Sequence, residues 1–484
     1  MTTEQTAAGA ATRAPDPNRW RALAVCLVAG FMTLLDVSIV NVALPSIREG
    51  LGAGPNALSW VVSGYALAFG LLLVPAGRIG DARGRRPTLI VGLAVFTLAS
   101  AACGFAPNAT LLVVGRVIQG LGGGLVSPTI SGLIQSMFQG VERAKAFGLF
   151  GATVGISTAI GPLAGGLLIQ LFGTENGWRS VFFVNLPIGA LAILLALRWV
   201  PHHKRARGER SRDDLDPVGV VLLGLAVLLV ILPFIEQESW HSNARLLLFP
   251  AAAIMLGIFI WWERRYRRLG NVPVVDFRLF QRSSFSLGVA LGTLYFAGFT
   301  GIFFIYAQTL QEGLGYSALE SGLAATPFAV GSAVAAALGG RLVTKYGRPL
   351  VVVGLVGIFV GTIALAIVAG QVRSSDLGWA GALPMLIGGL GSGLVISPNL
   401  TLTVSEVPVR QAGVAGGVLQ TGQRIGSAAG IAITGSVFYG VLADGGRPDF
   451  STALVHGLIS VAAFVAASLL VGLADIATAS RRRA

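Results

Sequence analysis

The sequence AGRIGDARGRRP, at residues 76–87, indicates how the whole chain is organised, because a related copy follows far downstream. That copy, GGRLVTKYGRP, occupies residues 339–349. A second pair of related stretches has the same order: GLGGGLVSP at 120–128 and GLGSGLVISP at 389–398. The two halves of the chain therefore look like two versions of one structural unit.

Apolar residues dominate the sequence around these motifs. The chain has 484 residues, of which 54% are hydrophobic and only 12% are charged. Soluble globular proteins carry about 25% charged residues. A chain with so few charges cannot cover a surface that faces water, and it indicates an all-α polytopic membrane protein.

Fourteen apolar runs approach the length of about 20 residues that a helix needs to cross a bilayer. Six runs lie within 22–200, two within 217–262 and six within 284–474, so we expect two six-helix bundles with an inserted pair between them. The remaining segments are an N-terminal tail, two cytoplasmic linkers and a basic C-terminal tail, at 1–21, 201–216, 263–283 and 475–484.

The basic residues support this count and give an orientation. If both termini are cytoplasmic, most of the 35 Lys and Arg residues fall in inner segments, as the positive-inside rule requires. The predicted outer loops hold only Arg48, Arg179, Arg245, Arg373 and Arg447. The net charge of +13 then reflects membrane topology, and we expect no nucleic-acid partner.

Two bundles that repeat in the same direction are typical of a transporter, with the substrate site between them near the middle of the bilayer. A duplicated channel or membrane enzyme is a less common alternative. No GxxxxGK[ST] phosphate loop is present, and the four histidines show no metal-ligand spacing. We therefore expect no enzyme activity, no ATP hydrolysis, no metal and no cofactor.

Four motifs together resemble the major facilitator superfamily, and within it the fourteen-helix drug:proton antiporter group. They are LDVSIVNVALP (35–45), GRIGDARGRRPTL (77–89), RVIQGLGGG (116–124), and GPLAGG (161–166) with WRSVFFVNLPIG (178–189). The resemblance implies the major facilitator fold and multidrug efflux: a monomeric, proton-coupled exporter of drugs or antibiotic-like metabolites in a bacterial cell membrane. The alternative is a carrier of the same fold for amino acids, ions or other small metabolites, which could import.

The loop motif combines glycines with charges of both signs. Gly77 and Gly84 permit a tight turn and close helix approach, and Asp81 can pair with Arg85 or Arg86 at the inner face. The resemblance implies that this loop is a conformational latch, whose charge pairs break and form again as the halves move. An ordinary positive-inside loop is the alternative.

The antiporter signature of the resembled family corresponds to a run of small residues with a proline kink, in which Ser157 replaces a usual glycine. Neighbouring helices can pack against such a surface and slide over it. Close packing with no other role is the alternative. The residues of this antiporter motif are Gly155, Gly161, Pro162, Gly165 and Gly166.

One acid, Asp36, interrupts the first apolar run. A buried carboxylate without a partner would sooner take up a proton. At about 1.5 Å of rise per residue, Asp36 and Arg116 lie at similar depth on antiparallel helices, so we expect them to be close, with Arg116 favouring the ionised acid. The resemblance implies a role for this pair in proton coupling; a static structural pair is the alternative. Asn41 and Gln119 could join the network or line a substrate cavity, or could simply bond between helices.

Two further features suggest what the cavity binds. Arg424 lies within the thirteenth run, and no acid lies deep in the second bundle, which favours a neutral, zwitterionic or anionic small molecule. Tyr295, Phe299 and Phe303 share one helical face and could line a hydrophobic cavity. The alternatives are contacts with lipid or neighbouring helices for the aromatic residues, and a gating or packing role for Arg424.

Overall fold

A computed structural model describes residues 16–173, 176–201, 216–235, 246–371, 376–444 and 449–481. Most of the predicted N-terminal tail and of the linker at 201–216 lies outside the described residues, as do 482–484 and Arg245, Arg373 and Arg447 of the predicted outer loops. Within the described ranges the fold is entirely helical, which confirms the all-α prediction.

The described part of the chain forms sixteen α-helices. They are α1 Arg19–Leu51, α2 Pro55–Arg83, α3 Arg85–Gly104, α4 Ala109–Met137, α5 Gly140–Phe172, α6 Gly177–Phe183, α7 Asn185–Trp199, α8 Pro217–Ile235, α9 Leu248–Arg268, α10 Ser283–Gln308, α11 Ala318–Tyr346, α12 Arg348–Gln371, α13 Leu377–Ala380, α14 Ala382–Thr403, α15 Ala412–Asp444 and α16 Phe450–Arg481.

Thirteen segments of the described chain are long and apolar enough to cross a membrane. The short helix α6 continues into α7, and α13 into α14, so each of these pairs makes one segment. The helix α9 is not among the thirteen, because its last turns carry a glutamate and several arginines.

The geometry of α9 nevertheless matches that of α8, against which it packs. At one end of the pair, Trp262 donates from Nε1 to Asp216 Oδ1 over 2.9 Å. At the other end, the rings of Phe234 and Phe249 lie 5.3 Å apart. The two helices therefore form an antiparallel hairpin, in which α9 crosses the same thickness of the molecule as α8.

The remaining helices form two bundles, α1–α7 and α10–α16, each built around a hydrophobic core, and the first core also includes Leu400, Val404 and Leu419 of the second bundle. The bundles meet where α5 packs against α11 and where α2 packs against α15. The α8–α9 hairpin lies beside α2 and α15. We call the end of the molecule that holds Arg19 and Asp475 the terminal end, since the described chain starts and finishes there.

A buried ion pair fixes the second bundle at the terminal end. Arg348, at the start of α12, places its Nε 2.5 Å from Asp475 Oδ2. Its other nitrogens donate to Asn399 Oδ1 over 2.6 Å and to the Ser284 carbonyl over 2.7 Å. The sequence suggested a tail from residue 475, whereas α16 continues past it and leaves Asp475 only 2% exposed.

We expect Asp475→Ala to destabilise the protein by about 3–5 kcal/mol, because it leaves the Arg348 guanidinium buried without its counter-charge. The measurement is the midpoint of denaturation of the detergent-solubilised chain. Glu142→Ala is the matched control, since the Glu142 side chain is 45% exposed where it pairs with Arg19, and solvent screens pairs of this kind. Equal effects of the two substitutions would contradict the prediction.

Candidate functional site

The Asp36 carboxylate is fully buried in the middle of α1 and is held by three side chains. Arg116 of α4 places its Nη1 2.5 Å from Asp36 Oδ2. Gln119, one turn further along α4, donates to Asp36 Oδ1 over 2.8 Å, and Asn185 of α7 donates to the same oxygen over 2.9 Å. The predicted proximity of Asp36 and Arg116 is confirmed; a role in proton coupling stays a prediction.

Further hydrogen bonds tie this network to α3. The Ser100 hydroxyl accepts from Gln119 over 3.0 Å and from Asn185 over 2.9 Å, and donates to the Phe182 carbonyl. Gln119 Oε1 in turn accepts from Arg116 over 2.7 Å. Charge and hydrogen-bond partners are therefore supplied by four helices of the first bundle, which is how the interior accommodates an acid.

Arg116 also contacts α2. Its Nε donates to the Val61 carbonyl of α2 over 2.9 Å, and its guanidinium carbon lies 4.2 Å from the ring centroid of Tyr65. The Tyr65 hydroxyl in turn lies 3.3 Å from the Thr33 carbonyl of α1. Arg116 thus links α4 to α1 and α2, and any change in the charge of Asp36 acts directly on this connection.

A small cavity lies between the two bundles, with Arg116, and not Asp36, among its lining residues. The second bundle contributes Arg424 of α15, whose guanidinium carbon is 4.4 Å from the ring centroid of Phe69. Within the described residues, Arg424 has neither an ion pair nor a hydrogen bond. The cavity is lined by Val37, Val40, Asn41, Val62, Tyr65, Ala66, Arg116 and Arg424.

The structure therefore brings Asn41 and Arg424 to the cavity and places Gln119 in the buried network behind it. It does not bring the predicted aromatic face there. Tyr295 donates to Ser392 Oγ over 2.7 Å inside the second bundle, and Phe299 and Phe303 pack around Phe328, with ring centroids 5.9 and 5.0 Å from it. These rings form part of the core between α10, α11 and α14.

The loop motif joins the two bundles at the terminal end. The buried Asp81 carboxylate accepts from the backbone N–H groups of Gly413 and Val414, over 2.9 and 3.1 Å, in the first turn of α15. Arg85 completes the site, with its Nη2 2.7 Å from Asp81 Oδ1 and 2.5 Å from the Val409 carbonyl. A carboxylate is stabilised at a helix N-terminus by the unpaired N–H groups and the helix dipole.

The other residues of the loop motif fit this contact. A Cβ atom on Gly77 would collide with the backbone of Gly413, so a glycine is needed for α2 to approach α15. Gly84 has a φ of 110°, a conformation that favours glycine, where the chain turns from α2 into α3. Arg86 donates to the Leu197 carbonyl at the end of α7 and does not contact Asp81 in this arrangement.

A polar bridge between the bundles, absent from the sequence-based predictions, lies nearer the cavity. Ser127 of α4 donates to Gln420 Oε1 of α15 over 2.5 Å, and Gln420 donates to Ser131 Oγ over 3.3 Å. Along α15, this bridge lies between the Asp81 contact at Gly413 and the cavity at Arg424.

The predicted antiporter motif lies between α1 and α11. A Cβ atom on Gly161 would collide with Ser38 of α1, two residues from Asp36. A Cβ atom on Gly155 would lie 3.3 Å from Ser332 Oγ of α11, in the other bundle. The remaining residues continue these two faces: Gly165 against Ile39, Pro162 against Gly322, and Gly166 near Leu319.

Asn185 is the principal site residue that the sequence reasoning did not identify. It is fully buried, and its Oδ1 has no hydrogen-bond partner in the described part of the chain. A signal was present, since Asn185 is a single amide within the apolar run of the sixth predicted span. No potential metal site with three or more His, Cys, Asp or Glu residues occurs in the ranges that the structure describes.

Known proteins resemble this chain over most of its length. A family model described as Major Facilitator Superfamily matches residues 26–431. The probable actinorhodin transporter of Streptomyces coelicolor is 36% identical over 433 residues, which are 88% of this chain and 74% of that protein. The puromycin resistance protein pur8 of Streptomyces alboniger is 34% identical over 471 residues, 95% of this chain and 91% of that protein.

The fold also resembles solved structures at much lower sequence identity. The crystal structure of the human organic anion transporter MFSD10 (TETRAN) matches with a TM-score of 0.67 and 13% identity, over 94% of this chain and 100% of that one. At this identity, the likeness shows a shared fold alone.

We expect Asp81→Ala to open the terminal end, because it removes a buried acceptor shared by α15 and Arg85. Losing charge-assisted hydrogen bonds of this kind costs about 1.5 kcal/mol or more, enough for roughly a tenfold shift between two conformations. The readout is the labelling rate of Ser127→Cys by a polar thiol reagent, since Cys26 and Cys103 are buried. The control is Glu406→Ala, which removes an exposed acid at the same end; a labelling rate that Asp81→Ala leaves unchanged would contradict the latch.

Proposed function

Because the chain belongs to the major facilitator superfamily, and is thus a multi-pass cell-membrane transporter of small molecules and not an enzyme, we propose that it is a proton-coupled efflux antiporter. It exports drugs or antibiotic-like metabolites from a bacterial cell by alternating access. One observation carries the proposal: the buried Asp36 lies directly behind Arg116, which lines a cavity between the two bundles.

Asp36 is the proton site in this proposal. As an ionised group it accepts hydrogen bonds from Arg116, Gln119 and Asn185 at the same time. A bound proton removes its charge and leaves the Arg116 guanidinium buried without compensation, which is costly. The protonated network therefore favours a different arrangement of α1, α2 and α4, and this preference links proton binding to the conformation of the cavity.

The Asp81 contact supplies the other half of the cycle. Its backbone partners, Gly413 and Val414, lie in the opposite bundle, so this contact exists only while α2 and α15 are close at the terminal end. We infer fourteen spans, because α9 returns to the terminal end beside α8, and we assign this end to the cytoplasm, because most Lys and Arg residues fall in the segments on this side. The structure then corresponds to a state closed toward the cytoplasm, and release of Asp81 opens it. We propose that one chain suffices for this cycle.

The substrate class follows from the charges of the cavity. Arg116 is neutralised by Asp36, whereas Arg424 has no counter-charge within the described residues. This favours neutral, zwitterionic or anionic compounds over lipophilic dications. The relatives' names, which refer to actinorhodin and to puromycin resistance, support an antibiotic-like substrate.

We expect Asp36→Asn to abolish substrate transport driven by a pH gradient in proteoliposomes, because the amide cannot exchange a proton. Exchange of substrate between the two sides at equal pH should continue, since it does not require a net proton movement. The probe is whichever of actinorhodin and puromycin the wild-type chain excludes from a pump-deficient bacterial host.

Two comparisons make this experiment decisive. Asp276→Asn changes an acid that lies outside the two bundles and should leave gradient-driven transport intact. Full gradient-driven transport by Asp36→Asn would contradict the coupling role. Uptake in place of extrusion by the wild-type chain would favour the importing carrier of the same fold.

We expect Arg424→Gln to lower the protection of such a host against anionic or zwitterionic compounds by about tenfold, the equivalent of ~1.4 kcal/mol of binding. Protection against neutral compounds should change less, because they do not use the charge. Arg410→Gln, at an exposed position outside the cavity, is the control. A wild-type profile dominated by lipophilic dications would contradict the charge argument.

A further inference from the structure

The outer face of α9 forms a second concave site, remote from the substrate cavity. Its lining residues recur every three or four positions and therefore share one face of the helix. They are Gly257, Ile260, Trp261, Arg264, Arg265 and Arg268. We call this surface the α9 pocket.

Three arginines of the α9 pocket have no counter-charge within the described ranges. The neighbouring Arg267 is different, because its Nη1 lies 3.1 Å from Asp276 Oδ1. Arg264, Arg265 and Arg268 are all exposed, and the Arg265 guanidinium carbon lies 5.5 Å from the ring centroid of Trp261. The pocket thus presents several guanidinium groups that can bind one anionic group through paired hydrogen bonds.

The same face becomes apolar one turn further from the terminal end. Trp261 is 57% exposed and Ile254 is 66% exposed. Gly257 lies between them, and a Cβ atom added there would meet nothing within 4 Å. This leaves an open groove beneath the tryptophan, a residue that favours the membrane interface.

We propose that the α9 pocket binds an anionic diacyl phospholipid, with its phosphate on the three arginines and an acyl chain in the groove at Gly257. Charge complementarity requires an anion, and basic sites at the ends of membrane helices attract anionic headgroups. The apolar lining at Gly257, Ile260 and Trp261 favours an anion that carries a hydrocarbon chain, which free phosphate lacks. The α8–α9 hairpin packs beside α2 and α15 through α8, so this lipid lies on the outer face of α9, away from the two bundles.

The test is native mass spectrometry of the full chain in detergent, with added phosphatidylglycerol or phosphatidylcholine. We expect the wild-type chain to retain one tightly bound phosphatidylglycerol in preference to phosphatidylcholine. The triple variant Arg264→Gln, Arg265→Gln, Arg268→Gln should weaken that binding by roughly tenfold or more. A control that removes the same charge at the terminal end, Arg341→Gln, Lys345→Gln, Arg410→Gln, should retain it.

A second variant tests the groove. Gly257→Leu should fill the groove and weaken phosphatidylglycerol binding, while Gly257→Ala should have little effect; added inorganic phosphate should not compete. Equal losses in the two triple variants would indicate a general basic field and overturn the proposal. Displacement by inorganic phosphate, or unchanged binding in Gly257→Leu, would overturn the assignment of a lipid.

Discussion

The structure depends on the cost of placing one carboxylate in an interior without water. An ionised acid at the centre of α1 is tolerated only if its charge is balanced and its oxygens are fully hydrogen-bonded. Arg116 supplies the charge, while Gln119 and Asn185 supply the remaining bonds. This requirement joins α1, α4 and α7 into one unit that is organised around a single buried charge.

The two bundles descend from one repeated pattern, yet their end contacts differ. In the first, Asp81 reaches across to α15 and so depends on the relative position of the bundles. In the second, Thr344 stands where the repeat would have an acid, and Arg348 pairs with Asp475 inside its own bundle. The first copy of the motif therefore joins the two bundles, while the second stabilises one of them. This asymmetry agrees with the sequence, where only the first copy contains an acid.

Hydropathy, repeats and helical depth were sufficient to predict the all-helical fold and the pairing of Asp36 with Arg116. Helical depth could not identify Asn185, because the depth argument pairs opposite charges and a neutral amide carries none. Asn185 also lies 149 residues from Asp36 in the sequence. Periodicity placed Tyr295 and Phe299 on one face, but it could not tell whether that face meets a cavity or a helix; in the structure it meets α11 and α14. Hydropathy predicts an end of α16 that is too early, because it falls at Asp475, and the buried partner of Asp475, Arg348, is distant in the sequence.

The charges around the cavity also connect substrate class to the direction of coupling. With Asp36 ionised, the cavity side holds one positive charge in excess, from Arg424; a proton on Asp36 adds a second by leaving Arg116 uncompensated. An anion in the cavity would therefore favour proton binding, and by reciprocity the proton would favour the anion. This mutual strengthening of anion and proton binding fits transport of the two in the same direction. Antiport requires that substrate binding weakens proton binding, and the reverse, or that substrate and proton bind to different conformations. Of the classes that Arg424 leaves open, neutral and zwitterionic compounds fit proton-driven export without this conflict.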